Sequence, residues 1–165
     1  MASENRASVL LPSVGEFDVW PRAVKVQRVI VGVTSSDGDE DIVIGTSGTQ
    51  DFQLWDVQAG TLVYNIVGLI ETAFTASCTL EVGDTTDING WLLAAHVAAT
   101  STGDQMIYST DGADTTTEPA YAMGARGASQ GKWYQSSGTI ECDISGATPA
   151  VGRAIFYVHY AQLSS

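Results

Sequence analysis

Between Leu54 and Trp91 lies a run in which Phe74, Ala76, Cys78, Leu80 and Val82 take alternate positions, with Thr75, Ser77, Thr79 and Glu81 between them. Side chains on a strand point to opposite faces with a period of two, so this run has one apolar face and one wet face. A helix would space its apolar residues three and four apart, and Thr, Ser and Cys fill helices poorly. Gly83-Asp84 then reads as a turn.

The same period recurs along the chain. Ala23 to Val33 (AVKVQRVIVGV) is β-branched and alternating, with Lys25, Gln27 and Arg28 toward water. Ile42 to Ile44 is a short strand, Gly45 to Gln50 a turn cluster, and Asp51 to Val57 sets Phe52 and Leu54 against Gln53 and Trp55. TLVYNIVGLI, from Thr61, is almost continuously apolar, as in a strand buried on both faces. Lys132 to Gly146 brings two short strands, and Gly152 to Leu163 a last one with apolar or aromatic residues on both faces. One of those faces enters the core; the other should meet a second sheet, the N-terminal arm or another subunit. WLLAAHVAAT, from Trp91, is the one segment with a helical face (Trp91, Leu92, Ala95 and Ala98), capped by Asn89. Eight to ten short strands with frequent turns and at most one short helix predict an all-β antiparallel sandwich or jelly roll.

The expected organisation is an extended arm over residues 1–22 and a single domain over 23–165. In the arm, Val9, Leu10 and Leu11 form an apolar patch broken by Pro12 and Gly15, and Phe17, Val19 and Trp20 precede Pro21. An arm this apolar needs a surface to cover, and these residues are the candidate partner-binding positions. The start has no charged segment followed by a long apolar one, so no signal peptide is expected. No apolar run reaches the roughly 20 residues a bilayer span needs.

Charge narrows the function. The chain of 165 residues has 19 acids against 7 bases, a net charge of -12, and the bases are scattered. Nucleic-acid binding draws its affinity from clustered Lys and Arg, and anionic membranes select for the same, so neither partner is expected. Only 16% of residues are charged while 44% are hydrophobic, which marks a folded chain with much uncharged surface.

Candidate chemistry is sparse. Gly127-Ala128-Ser129-Gln130-Gly131 matches G-x-S-x-G, with His159 as the one downstream histidine, but strand and turn follow it where a hydrolase needs a helix. His96 and His159 read as packing residues, and no zinc, P-loop or dinucleotide motif is present, so no cofactor is expected. Asp84, Asp87 and Asn89 are the best candidate metal ligands, with turn chemistry the favoured reading. The acidic run Asp37 to Asp41 reads as a solvated turn and lacks the calcium-loop spacing. Cys78 and Cys142 lie in alternating runs and read as small buried hydrophobes. Trp20, Trp55, Trp91 and Trp133 invite comparison with sugar-binding modules, where exposed rings stack on sugars; Trp133-Tyr134 is the most lectin-like pair.

Several of these segments, taken in order, resemble a known family. They are Asp51 to Val57, Ala59-Gly60-Thr61-Leu62-Val63, Glu71 to Phe74, and Cys78 to Asp84. Asp87 to Trp91, Gly131-Lys132-Trp133-Tyr134 and Gly152 to Val158 continue the order. The pattern is similar to that of the small all-β auxiliary capsid proteins, also called decoration or cement proteins, of tailed bacteriophages, over roughly residues 50–160. The resemblance implies a jelly-roll homotrimer on the outside of the head, assembled in the host cytoplasm and clamping neighbouring major capsid subunits, with no catalysis. A carbohydrate-binding sandwich is the competing class.

Overall fold

A computed structural model describes residues 24–33, 40–45, 50–74, 78–93, 105–107, 121 and 131–163. The candidate arm residues Val9, Leu10, Leu11, Phe17 and Trp20, together with His96 and Ser129, lie outside the described residues.

Among the described residues, ten strands build two sheets. They are β1 (Lys25–Gly32), β2 (Ile42–Val43), β3 (Gln50–Val57), β4 (Thr61–Thr72), β5 (Cys78–Asp84), β6 (Asp87–Leu92), β7 (Gln105–Ile107), β8 (Lys132–Tyr134), β9 (Gly138–Gly146) and β10 (Arg153–Gln162). Sheet A runs β2-β1-β10-β4-β7, with β8 also on β4; sheet B runs β3-β9-β5-β6. All pairings are antiparallel except β1 with β2. The all-β sandwich expected from the alternation is the observed fold, and no helix occurs among the described residues.

The core lies between the sheets, and the period-two residues fill it. Cys78, Leu80 and Val82 of β5 meet Ile140, Cys142 and Ile144 of β9, all facing Val29, Val31, Ile66, Ile70, Phe156 and Val158 of sheet A. Both cysteines are free and buried, as expected of small hydrophobes. β4 is the long central strand of sheet A, and its near-continuous apolar sequence matches its position.

Local departures from the sequence reading have identifiable causes. Trp91 and Leu92 belong to β6, so the helical reading fails for them: Asp84 pairs with Asp87, and Thr85-Thr86 turns β5 into β6. Both side chains are fully buried, a packing that outweighs the weak helical spacing. Gly83 lies inside β5 next to a register shift instead of in the turn. A Cβ there would stand 2.0 Å from the Asp87 carbonyl oxygen, so the hairpin closes only over glycine. A second register shift, between Gln53 and Trp55, leaves Leu54 unpaired and turns Trp55 inward, with its ring 4.5 Å from that of Tyr160. Strict alternation would have kept Trp55 on the wet face. Part of the acidic run is also anchored to the fold, although Asp41 stays exposed. The Asp41 carboxylate accepts the Ile30 amide at 2.8 Å, and Glu40 lies buried 3.6 Å from Arg153, which also pairs with Glu71.

The two outer faces of the sandwich differ in chemistry. Asp51, Asp143 and Glu81 form one row across β3, β9 and β5 on sheet B. The strands of sheet B contain seven acids and no Lys or Arg, whereas Lys25, Arg28, Lys132 and Arg153 all stand on sheet A. On the outer face of sheet A, Ile30, Ile155 and Leu69 form one row and Arg28, Tyr157 and Val67 the next. Ile30, Val67, Ile155 and Ala161 turn away from the central cluster and are nevertheless buried. The last strand therefore has two apolar faces, as its sequence required.

Candidate functional site

Where β5 turns into β6, the chain presents a carboxylate to its own backbone. Asp84 Oδ1 accepts the amides of Thr86 at 2.9 Å and Asp87 at 3.2 Å, the Asp-turn chemistry that residue type favours. β8 of the opposite sheet supplies two further donors, and the Tyr121 hydroxyl a third, to Asp84 Oδ1 at 3.5 Å. Gly131, at φ 98°, sits so close to Val63 of β4 that a Cβ would stand 2.2 Å from the Val63 carbonyl oxygen. That close approach seats β8 on β4 and directs two of its three side chains between the sheets. The Lys132 ammonium lies 2.5 Å from Asp84 Oδ2, and the Tyr134 hydroxyl donates to the same oxygen at 2.9 Å.

Tyr121 closes the cluster. Its amide donates to the Gly90 carbonyl at 2.8 Å, and its ring meets Trp91 edge-on at 5.3 Å. A Cβ on Gly90 would stand 2.3 Å from that ring, so glycine makes the seat. Lys132 donates to the Tyr121 hydroxyl at 2.9 Å and lies 4.2 Å from its ring centroid, adding a cation–π contact.

Electrostatics follow from this geometry. Asp84 is 2% exposed; burial alone would raise its pKa, but Lys132, the Thr86 amide and the Tyr134 hydroxyl outweigh it and leave the carboxyl below its ordinary range. Burial would lower Lys132, but Asp84 and Tyr121 hold it above the usual lysine range. Tyr134 is pushed up by burial and by the Asp84 charge, so its hydroxyl stays a donor. The cluster is an ion pair with its donors and acceptors matched. It ties sheet A to sheet B and presents no free nucleophile.

A cleft of about 360 Å3 opens beside it, lined by Thr85, Thr86, Gln135, Ser136, Ser137 and Thr139 among others. Trp133 is 40% exposed and borders this cleft, but alternation along β8 turns its ring to the outer face of sheet A, opposite Lys132 and Tyr134 and in register with Leu62. Of the tryptophans compared with sugar platforms, Trp91 is wholly buried and cannot stack on a sugar, while Trp55 is half-buried with its ring against that of Tyr160.

The other sequence candidates separate in space. Asp84 is occupied by internal donors, and Asp87 Oδ1 accepts the Asn89 amide at 3.4 Å. The turn reading of this loop holds, and no metal-ligating group of three His, Cys, Asp or Glu occurs among the described residues. His159 stands half-buried on the outer face of sheet A beside Val26 and Asn65. Lys132 and Tyr121, which complete the cluster, escaped the sequence reading because they lie 48 and 37 residues from Asp84.

The described chain is thus a two-sheet sandwich with an internal polar clamp and two chemically unlike outer faces. No known protein-family profile matches the sequence, and no curated protein matches it. A solved structure, the capsid asymmetric unit of cyanophage Pam1, contains a chain similar in fold. Its TM-score is 0.50 at 19% identity, with 86% of each chain covered. The likeness is one of fold.

Proposed function

We propose that this protein is a structural component of a phage virion that binds the outer surface of the head as a trimer and clamps neighbouring major capsid subunits. The observation that carries the reading is the shared fold with a chain of a phage capsid, which extends over 86% of both chains. The acidic outer row of sheet B, Asp51, Asp143 and Glu81, supports a position toward solvent. Apart from Asp84, which is buried and paired with Lys132, the strands of sheet B still hold six acids and no base, which disfavours a position against packaged DNA. The action is binding, not catalysis, and uses no cofactor. Weak contacts at three sites of one trimer become strong together, because the second and third are effectively intramolecular.

The arm carries attachment in this reading, through Val9, Leu10, Leu11, Phe17 and Trp20. Deleting residues 1–20 should abolish binding to capsids that lack the protein, in a co-sedimentation assay. Undiminished binding would overturn that assignment, and a monomer by light scattering, 17.4 kDa in place of three times that mass, would overturn the free trimer. Sugar binding is the second reading, favoured by the exposed Trp133 on the outer face of sheet A. It requires glycan retardation in an affinity gel that Trp133→Ala abolishes.

A further inference from the structure

We propose that the cleft at the seam of β1, β3 and β10, floored by Trp55 and Tyr160, binds a single neutral sugar ring. This goes beyond the virion reading, with which it is compatible, and it does not involve Trp133.

The register shift in β3 makes the cleft. With Leu54 unpaired, Trp55 turns inward on β3, the edge strand of sheet B, and its ring meets that of Tyr160 of sheet A at 4.5 Å and 48°. Lys25 pairs directly with Tyr160, so the two share one face of sheet A, and Gln162 follows two positions along. Asp56 and Gln58 stand where β3 gives way to the turn into β4. Together these six residues line a cleft of about 290 Å3.

Much of the lining is held in place by the protein itself. Trp55 and Tyr160 are half-buried and packed against the central core. The Gln162 side chain accepts the Thr61 hydroxyl at 2.7 Å and donates to the Ala59 carbonyl at 2.8 Å. Asp56 accepts the Gln53 amide. Side chains already fixed lose little freedom when a ligand arrives. Lys25 and Gln58 are exposed and add an ammonium and an amide to the rim.

The ligand class follows from this mixture. A sugar ring has an apolar C–H face and a rim of hydroxyls that both donate and accept. The two aromatic side chains suit the first, and the carboxylate, amides and ammonium suit the second. An anion would meet Asp56 and a chain of net charge -12. An organic cation, the common guest of paired aromatic rings, would meet Lys25. A wholly apolar molecule would leave the rim groups without partners. The volume falls at the small end of ligand clefts, about 300–1,000 Å3, which favours one ring over an extended oligosaccharide.

The test is a printed array of neutral, sialylated and sulfated glycans probed with the full-length protein. The expected result is retention of neutral glycans that share a terminal sugar. Binding of the corresponding methyl glycoside, followed by saturation-transfer nuclear magnetic resonance, should weaken about threefold or more in Lys25→Ala and in Gln58→Ala. Both positions are exposed, so these variants should keep the far-ultraviolet circular dichroism of the folded sandwich. Trp55→Ala should weaken binding about tenfold or more. An array on which no neutral glycan is retained, or only charged ones are, would overturn the proposal. Binding that is unchanged in Lys25→Ala and Gln58→Ala but lost in Trp133→Ala would overturn it too, by placing the sugar on the outer face of sheet A.

Discussion

Removing the Lys132 ammonium, as in Lys132→Met, should destabilise the fold by about 2–3 kcal/mol at neutral pH. The separation of 2.5 Å and an effective dielectric near 20 give a gross attraction of roughly 6–7 kcal/mol. Desolvation takes back much of that, and removing one partner of a fully buried pair typically costs about 3–5 kcal/mol. The figure here is lower because the Lys132 side chain keeps 22% exposure and Asp84 retains Tyr134 and two amides as donors. At about 2–4 °C per kcal/mol for a chain of this size, the melting temperature should fall by roughly 4–12 °C. A double-mutant cycle with Asp84→Asn, measured by urea unfolding, isolates the pair and should return a coupling of about 1–3 kcal/mol. The pH dependence has a fixed sign. Asp84 is depressed in the folded state, so its contribution is present above the unfolded carboxylate range near pH 4 and is lost as pH falls through the lower folded value. Lys132 is raised, so its contribution is present below its unfolded value, about pH 10.4, and is lost as pH rises through the folded one. The coupling should therefore hold across the neutral range and decay at both extremes. A coupling under about 0.5 kcal/mol, the size of an exposed pair, or one indifferent to acid, would refute the buried clamp.

Three further outcomes follow from the same packing. Tyr134→Phe removes one charged hydrogen bond and should lower stability by about 1.5–3 kcal/mol in chemical denaturation; a loss under about 0.5 kcal/mol would show that Asp84 does not depend on it. Gly83→Ala should prevent the β5–β6 hairpin from closing, since its Cβ meets backbone at 2.0 Å; amide exchange in β6 equal to that of the parent protein would contradict this. Asp143 is raised by burial first and then by the charges of Asp51 and Glu81, so the folded state holds a proton that the unfolded state has already released. Stability therefore falls as pH rises through that interval and stays lower above it. Asp143→Asn should gain about 0.2–1 kcal/mol at pH 7 and nothing in strong acid, by thermal melts at both pH values. An equal gain at both would assign the effect to packing.

The period-two signal was legible because it is local: each strand writes its own inward and outward faces into successive residues, and Leu80, Ile140 and Phe156 all fell where alternation placed them. The sandwich, the buried cysteines and the two-faced last strand followed from that alone. Tertiary structure decided what alternation does not encode. One unpaired residue, Leu54, reversed the side taken by Trp55, and the tight approach at Gly83 turned an expected stop into part of a strand. β6 took Trp91 from an expected helix because burial across the sheets outweighs a small difference in propensity. The clamp was invisible for a different reason. Asp84, Tyr121, Lys132 and Tyr134 are scattered over some fifty residues, and only the crossing of the chain between the two sheets brings their charges and hydroxyls together.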